Sequence, residues 1–339
     1  METATTPQLA PQQPQPAQPT PIRYTPKEAA ELLGITAKVL SHAQKKDQYT
    51  PEDMWELRGK LQLEPPALGT RKQLFLNFKG GTGKTSLSIS YAWRLAELGY
   101  GVLVIDLDSQ GHATKCLGFE GEDFDRTLLD VLVKKVPISQ VVQKSSLPNL
   151  DFIPSNLSMS TVDLALMPMA GREFKLRNAL KEVEAHYDFI IFDAPPSFGL
   201  LNLNALMAAE DLIVPVLADF LSFHGLKLLF ETVNSLEEDL GHVLDHVFIV
   251  VNSFNATFKL AKEALEALKQ HYPEFLMPQV IRQCTRFAQA SSEGMPIFRF
   301  DRDSKGAGDV QKLIDDVLAR LVATNAAKQQ AAQPQAKSA

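Results

Sequence analysis

The chain has 339 residues, of which 45% are hydrophobic and 22% are charged, and its formal net charge at pH 7 is −6. This length suits one α/β domain of about 250 residues with appended segments. The acidic balance excludes a protein coated with basic residues, so any contact with nucleic acid is expected from a local, salt-sensitive patch.

The two cysteines, Cys116 and Cys284, lie far apart and lack the spacing of a metal site or of a disulfide framework. This usage is typical of a reducing cytoplasm. No apolar run approaches the roughly 20 residues that a membrane-spanning helix requires, and the N-terminus lacks the charged and then apolar pattern of a secretory signal. We therefore expect a soluble cytoplasmic protein that is not exported.

Two terminal segments have compositions that do not support a packed core. Residues 1–21 contain six prolines and five glutamines but no lysine or arginine, and residues 326–339 read AAKQQAAQPQAKSA. Such segments bury too little apolar surface to offset the entropy lost on ordering. We predict that both are disordered tails.

Residues 22–66 predict a small helical module. In YTPKEAAELLG, Thr25 and Glu28 form a capping-box pattern, and Gly34 ends the helix. A second helix is expected from Thr36 through Lys46, and TPEDMWELRGKL repeats the Thr-Pro start for a third. The sequence therefore predicts three consecutive helices.

The order of helix, glycine turn and helix is the layout of a helix-turn-helix. The EAAELLG segment resembles the truncated MerR or excisionase type, and this resemblance implies that residues 22–63 contact DNA. A helical hairpin that only docks on the next domain, or on a partner, is the alternative.

Residues 70–325 alternate apolar runs with helical patterns. We predict buried strands in these runs: QLFLNF, GVLVIDLD, LDFIPS, YDFIIFDAPP, DLIVPVLA, HVFIVVNSF and MPQVIRQ. Helical segments separate most of them. This pattern predicts an α/β fold with a mostly parallel, doubly wound sheet.

The first of these strands leads into GGTGKT and then into a helical stretch, the context that a phosphate-binding loop requires. Glycines let the backbone N–H groups approach phosphate oxygens. Lys84 is expected on the β and γ phosphates, and the hydroxyl of Thr85 on Mg²⁺. The predicted ATP-binding residues of this segment are Lys79, Gly80, Gly81, Thr82, Gly83, Lys84, Thr85 and Ser86.

A second lysine, Lys79, precedes the first glycine. Its side chain leaves the loop before the backbone has curled around the phosphates, so a neighbouring subunit's nucleotide is its more suitable partner. In this respect the chain resembles the ParA/MinD family of deviant Walker A ATPases, whose motif reads KGGxGK[ST]. The resemblance extends over about 250 residues and implies that Lys79 crosses an ATP-bound sandwich dimer.

Three aspartates complete the predicted site: Asp108 joins Lys79 and Lys84 as a catalytic residue, and Asp106 and Asp193 join Thr85 as metal ligands. FIIFD is typical of a Walker B strand, which carries Asp193 to its carboxyl end. A period of two along VLVIDLD places Asp106 and Asp108 on the same side of a strand. The family resemblance implies that Asp106 lies near Mg²⁺, with Thr85 and Asp193, and that Asp108 orients the attacking water. It also implies a nucleotide-sensing loop in APPSFG, after Asp193.

Two other positions leave alternatives open. Asn252, at the end of the apolar run VFIVVN, is a candidate for a hydrogen bond to adenine, and a cap on a strand-end turn is the alternative. Ser86 stands where many family members have a second threonine, which is a conservative change for a hydroxyl near the phosphates.

The remaining sequence separates the ParA type from other members of the family. The cysteines do not offer the thiolate pattern of the nitrogenase iron protein. The alanine- and glutamine-rich tail lacks the bulky apolar residues of a MinD-type membrane helix. Resemblance to ParA implies non-specific binding to nucleoid DNA by a few cations. The candidates are Lys259, Lys262, Arg282 and Arg286; Lys269 lies further along the same helix, where a solvated face shared with Glu263 and Glu266 is the alternative.

The function that this resemblance implies is a slow ATP switch. ATP and Mg²⁺ close two subunits, the dimer binds nucleoid DNA, and a ParB-like protein or cargo adaptor stimulates hydrolysis and releases the monomers. The cargo is a plasmid, a chromosome or a protein cluster. Two alternatives remain: a transcriptional regulator that reads an operator with residues 22–63, and a scaffold that binds nucleotide without turnover.

Overall fold

The computed structural model describes residues 21–332. Residues 1–20 and 333–339, which belong to the predicted tails at 1–21 and 326–339, lie outside the described residues. No helix in the described part of the chain is both long enough and apolar enough to cross a bilayer.

Three helices form the predicted N-terminal module: α1 (Pro26–Leu33), α2 (Ala37–Ala43) and α3 (Pro51–Leu61). The capping box of Thr25 and Glu28 is present, and Gly34 ends α1 with φ of 66°. Helix α2 ends at Ala43, three residues before the predicted end at Lys46, and Gln44 is already extended. The module has its own small core around Leu33, Leu40 and Leu57. DNA reading by this module stays a prediction.

The module docks on the larger domain through Glu97, whose side chain is fully buried. The hydroxyl of Tyr24 donates to its carboxylate at 3.2 Å, and the Arg302 guanidinium donates at 2.6 Å. Arg58 of α3 donates to the Leu32 carbonyl at 2.5 Å and to the Glu97 carbonyl at 3.0 Å. These contacts agree with the docking alternative for the module.

The larger domain contains one sheet of seven strands in the order β3-β4-β2-β5-β1-β6-β7. All neighbours are parallel except β3 and β4. The strands are β1 (Arg71–Phe75), β2 (Val102–Asp106), β3 (Gln143–Lys144), β4 (Leu150–Ile153), β5 (Phe189–Asp193), β6 (Asp211–Leu217) and β7 (His246–Asn252). The predicted fold class is confirmed.

Helices pack on both faces of the sheet. They are α4 (Lys84–Glu97), α5 (His112–Cys116), α6 (Leu128–Leu132), α7 (Val162–Leu166), α8 (Lys175–Leu180), α9 (Leu200–Ala208), α10 (Leu221–Leu240), α11 (Lys259–His271), α12 (Thr285–Ser292), α13 (Ile297–Phe300) and α14 (Lys305–Ala332). Short 3₁₀ helices cover Gly121–Asp123, Ile138–Gln140, Leu157–Thr161, Arg172–Phe174 and Glu184–His186. Because side chains alternate along a strand, Leu74 and Phe75 belong to two different core clusters.

The prediction of a strand in MPQVIRQ is wrong. Met277 and Ile281 donate backbone hydrogen bonds to Ile249 and Val251 of β7, at 2.9 and 2.8 Å. Pro278 lies between these two donors and has no N–H to continue the ladder. The segment therefore runs beside β7 with only isolated bridges.

The prediction of disorder from residue 326 is wrong for residues 326–332, because α14 continues through Ala332. Alanine and glutamine are good helix formers, and the preceding turns are anchored by buried Val317 and Leu321. Lys328 also pairs with Asp245 at 2.8 Å. Helix α14 therefore extends beyond its packed part.

Removing the carboxylate of Glu97 is expected to destabilise the protein. The Glu97→Ala change removes the buried acceptor of Tyr24, Trp93 and Arg302, which costs about 3 kcal/mol of unfolding free energy. Urea denaturation of the full chain measures this loss. The matched control, Glu56→Ala at an exposed position of α3, should change stability by less than about 0.5 kcal/mol. Equal losses in both variants would refute the docking role of Glu97.

Candidate nucleotide-binding site

The phosphate loop joins β1 to α4 at the carboxyl edge of the sheet. Gly81 and Gly83 have φ of 72° and 88°, in the left-handed region that favours glycine. A Cβ on Gly83 would lie 2.1 Å from Nδ2 of Asn252. Gly83 is also the N-cap of α4 and makes no side-chain capping bond. The first-turn N–H groups of α4 are thus available to an anion.

Lys84 lies over this loop and is 7% exposed. Its Nζ donates to the Lys79 carbonyl at 3.3 Å. Desolvation lowers the pKa of Lys84, and the nearby Asp193 and Asp108 carboxylates oppose that effect. The ammonium is therefore held where the loop would receive a phosphate.

Asp193 ends β5 and is completely buried. Its two oxygens accept hydrogen bonds from the hydroxyls of Thr85 and Ser88, both at 2.8 Å. Burial raises the pKa of Asp193 to about 6, although these hydrogen bonds and the charge of Lys84 lower it. Asp193 thus orients the hydroxyl of Thr85 from beneath the loop.

Asp106 ends β2 and is directly opposite Asp193 in the register of the two strands. Oδ2 of Asp106 accepts from both the N–H and the hydroxyl of Thr114, each at 2.8 Å. Burial raises the pKa of Asp106 to about 8, and the Asp193 carboxylate adds to the increase. Two buried carboxylates that repel one another form a site that a divalent cation would stabilise.

The side-chain oxygen atoms of Thr85, Asp106 and Asp193 fit Mg²⁺. Within residues 21–332, no cluster of three or more His, Cys, Asp or Glu side chains forms a metal site by itself. Mg²⁺ is usually held by one or two carboxylates together with phosphates and water, so it does not need such a cluster. Thr85, Asp106 and Asp193 meet this requirement beside the loop.

Asp108 lies in the turn after β2, because the strand ends at Asp106. The prediction that both aspartates alternate along one strand is therefore wrong. The N–H of Asp108 donates to Asp106 at 3.1 Å, and Oδ1 of Asp108 accepts from the Gln110 N–H at 3.0 Å. Its bond to Asp106, which lies opposite Asp193, places it at the same edge of the sheet, and its charge raises the pKa of both Lys84 and Asp193.

Comparison with known proteins identifies the family. A family model described as an AAA domain matches residues 71–246. The cell division protein PomZ of Myxococcus xanthus is 76% identical over 306 residues, which span 90% of this chain and 96% of PomZ. The chromosome-partitioning ATPase Soj of Treponema pallidum is 32% identical over 247 residues, which span 73% of this chain and 96% of Soj. The chain belongs to the ParA/MinD family of P-loop ATPases.

A solved structure also resembles this ParA/MinD-family ATPase. Cobyrinic acid a,c-diamide synthase from Mycobacterium smegmatis, with a bound ATP analogue and magnesium, has a TM-score of 0.66 and 27% sequence identity. The match covers 74% of this chain and 94% of the synthase. The fold described above is therefore shared with a relative that binds an ATP analogue and magnesium.

The lysine that distinguishes this ParA/MinD-family motif points away from its own loop. Nζ of Lys79 lies 2.7 Å from Oδ2 of Asp219. The N–H of Lys79 donates to Oδ1 of Asn77 at 2.9 Å. Lys79 and Lys84 therefore occupy different places, one facing a carboxylate beyond β6 and the other covering the loop.

Asn252 and Ser86 also lie beside the loop. Nδ2 of Asn252 donates to the Thr82 carbonyl at 2.7 Å, so Asn252 supports the loop backbone. The hydroxyl of Ser86 is 3.4 Å from that of Ser291. The Thr82 hydroxyl is buried, and no partner for it is found among the described residues. Contact of Asn252 with adenine stays a prediction.

The predicted basic residues are dispersed and partly paired. Lys259 is 3.6 Å from Glu263, and Lys269 is 2.7 Å from Glu266, as expected for a solvated helix face. Lys262 is exposed on the same helix, α11. Arg286 pairs with Asp301 at 2.9 Å, and Arg282 pairs with buried Asp309 at 2.7 Å. DNA contact by these residues stays a prediction.

Sequence reasoning missed several residues of the site. Thr114 and Ser88 complete the hydrogen bonding of the two buried aspartates. Ser88 stands four positions after Lys84, so helical periodicity was a usable signal for it. Asp219 gave no such signal, because its contact with Lys79 spans 140 residues of sequence.

Proposed function

We propose that this ATPase is a dimerising switch that positions or partitions a cargo. The observation that carries the proposal is the different placement of its two lysines. Lys84 covers its own phosphate loop, whereas Lys79 reaches outward to Asp219 and is 30% exposed. A cation placed outside its own site is suited to the nucleotide of a second subunit, where it would offset repulsion between two triphosphates.

The residues around the loop have separate roles toward ATP. Backbone N–H groups of Gly81 to Lys84 receive the phosphates, and Lys84 holds the β and γ oxygens. Thr85 and the two buried aspartates would hold Mg²⁺, which supplies positive charge at those oxygens. Asp108 orients the attacking water, as alignment and charge account for most of the catalysis in phosphoryl transfer.

Exposed apolar side chains around Lys79 support a dimer. Phe198 is 64% exposed, Phe220 53% and Leu221 71%. Phe198 packs on Phe78, next to Lys79, and the other two follow Asp219 in sequence. A second copy of the chain would cover these side chains. Sedimentation velocity tests this proposal: we expect a monomer without nucleotide or with ADP, and a dimer with ATP.

The loop between β5 and α9 connects the nucleotide site to the exposed apolar side chains around Lys79. The loop between β5 and α9 is held by Asn202, whose Nδ2 donates to the Pro195 and Ser197 carbonyls at 3.0 and 2.5 Å. The same loop carries Phe198, which contacts Phe78 beside the phosphate loop. Loss of the γ-phosphate beside Asp193 would therefore loosen the dimer through the loop that begins after this residue.

We further propose that the ATP-bound dimer binds nucleoid DNA without sequence preference. Each subunit would contribute Lys259, Lys262, Arg282 and Arg286, whose side chains are all exposed. A ParB-like protein or cargo adaptor would stimulate hydrolysis through a short basic segment and return the chain to monomers. The relative PomZ is named as a cell division protein, and the relative Soj is named as a chromosome-partitioning ATPase. Both names support the proposal that repeated ATP cycles position a cargo.

Loss of two cations is expected to weaken DNA binding and its salt dependence together. The double variant Lys262→Ala and Arg286→Ala removes four charges from a dimer, so the slope of log K against log salt should become shallower by about 4. Fluorescence anisotropy with a random-sequence duplex and a non-hydrolysable ATP analogue measures it. The control variant, Arg126→Ala with Lys144→Ala, removes the same charge from the edge of the sheet formed by β3 and β4, and it should leave the slope unchanged. An unchanged slope in the first variant would contradict the assignment.

A further inference from the structure

Lys79 forms an ion pair within its own subunit. Nζ of Lys79 lies 2.7 Å from Oδ2 of Asp219, and the two side chains are 30% and 38% exposed. Partial burial raises the pKa of Asp219, but hydrogen bonds from Lys79 and Ser222 outweigh it, so the pKa lies below its usual range. Asp219 is therefore an anion, and it competes with any other anion for the same ammonium.

Both ends of this ion pair are fixed by buried neighbours. Asn77 is 3% exposed; its Oδ1 accepts from the Lys79 N–H at 2.9 Å, and its Nδ2 donates to the Pro215 carbonyl at 2.7 Å. Ser222 is 2% exposed and donates to Oδ1 of Asp219 from its N–H at 2.8 Å and from its hydroxyl at 2.9 Å. The pair thus has a defined geometry and joins the phosphate loop to the start of α10.

The ion pair between Lys79 and Asp219 is strong enough to shift the dimerisation equilibrium, and it is weak enough for a nucleotide to displace it. Partly exposed ion pairs contribute roughly 0.2–1 kcal/mol, which is about a 1.4- to 5-fold effect on an equilibrium. A triphosphate carries more negative charge than one carboxylate, so a second subunit's nucleotide can draw the ammonium away. Lys79 must then leave Asp219 before it crosses to that subunit.

We propose that Asp219 is a positioning residue that holds Lys79 within its own subunit and so opposes dimerisation. This inference rests on the proposed ATP-dependent dimer. Two such pairs break when one dimer forms, one in each subunit. The carboxylate of Asp219 therefore sets how much ATP-bound protein is needed before two chains associate.

The Asp219→Asn variant tests this role. Asparagine keeps Oδ1 to accept from Ser222 but removes the charge that holds Lys79. With a non-hydrolysable ATP analogue, the dissociation constant of the dimer should fall about 2- to 25-fold, from about 1.4- to 5-fold for each of two pairs. Sedimentation velocity over a series of protein concentrations measures it. Affinity of the monomer for ATP, measured at high dilution, should not change.

Asp53→Asn is a matched control, because Asp53 also caps a helix, accepting from Thr50 at 2.9 Å, and pairs with Lys46 at 2.6 Å. It should leave the dimer constant unchanged, and Asp219→Glu should stay within about two-fold of the parent. If the parent dimerises but Asp219→Asn dimerises equally or more weakly, the positioning role is overturned while the dimer stands. If the parent stays monomeric with the analogue, the proposed dimer fails, and this inference fails with it.

Discussion

Replacing Asp108 with alanine is expected to lower the rate of ATP hydrolysis at least about 100-fold while the ATP-bound dimer persists. The side chain lies in the turn after β2, near enough to Lys84 and Asp193 to affect the pKa of both. It makes none of the described contacts that hold the phosphate loop. Its loss should therefore remove orientation of the attacking water without removing nucleotide.

Two measurements separate these effects. Single-turnover hydrolysis reports the chemical step, and sedimentation velocity with ATP reports the dimer, which should remain on non-specific DNA. The control is Lys84→Ala, which removes the ammonium over the loop and should lose both nucleotide binding and dimerisation. Hydrolysis by Asp108→Ala at the parent rate would show that the catalytic assignment is wrong.

Replacing Lys79 with alanine is expected to abolish ATP-dependent dimerisation while the monomer still binds ATP. Nζ of Lys79 faces Asp219 and not its own loop, so the nucleotide keeps Lys84, the loop N–H groups and Thr85. Removing one partner of a buried charge pair costs about 2–5 kcal/mol, and a symmetric dimer contains two such contacts. The dimer constant should therefore weaken by at least about 100-fold.

Equilibrium binding of a fluorescent ATP analogue and sedimentation velocity measure the two properties on one sample. Lys72→Ala is the control. Lys72 lies in β1, the strand that leads into the phosphate loop, and it also forms an ion pair, with Glu210 just before β6 at 3.0 Å. It should leave dimerisation intact. Normal dimers of Lys79→Ala would contradict a role for this lysine across the interface.

Local pattern and motif were enough to predict much of this fold. Six of the seven predicted strands are present because each is a buried apolar run, and the phosphate loop follows the first of them. Local pattern failed where a neighbouring element decided the outcome. Pro278 interrupts the backbone pairing of its segment with β7. Helix α14 continues past Asn325 because its preceding turns are packed against the domain.

The residues of the nucleotide site that belong to motifs were also predictable from the sequence, whereas their long-range contacts were not. Lys84, Thr85 and Asp193 follow from motif and strand order, because parallel strands bring their carboxyl ends to one edge. The partners of Lys79 and Glu97 were not predictable, since Asp219 and Arg302 are separated from them by 140 and 205 residues. Periodicity contains no information about contacts at such separations.

The central claim is that Lys79 acts on the nucleotide of the other subunit, and mixing two inactive variants tests it most directly. In a heterodimer of Lys79→Ala and Asp108→Ala chains, one site has its own Asp108 and receives Lys79 from the second chain. We expect mixing to restore ATP hydrolysis to at most about a quarter of the parent rate. Even random pairing would make only half of the dimers mixed, with one active site each, and the missing Lys79 contact of the Lys79→Ala chain lowers that share. If Lys79 serves its own nucleotide, both sites of the heterodimer lack an essential group, and the mixture will hydrolyse ATP no faster than the separate variants.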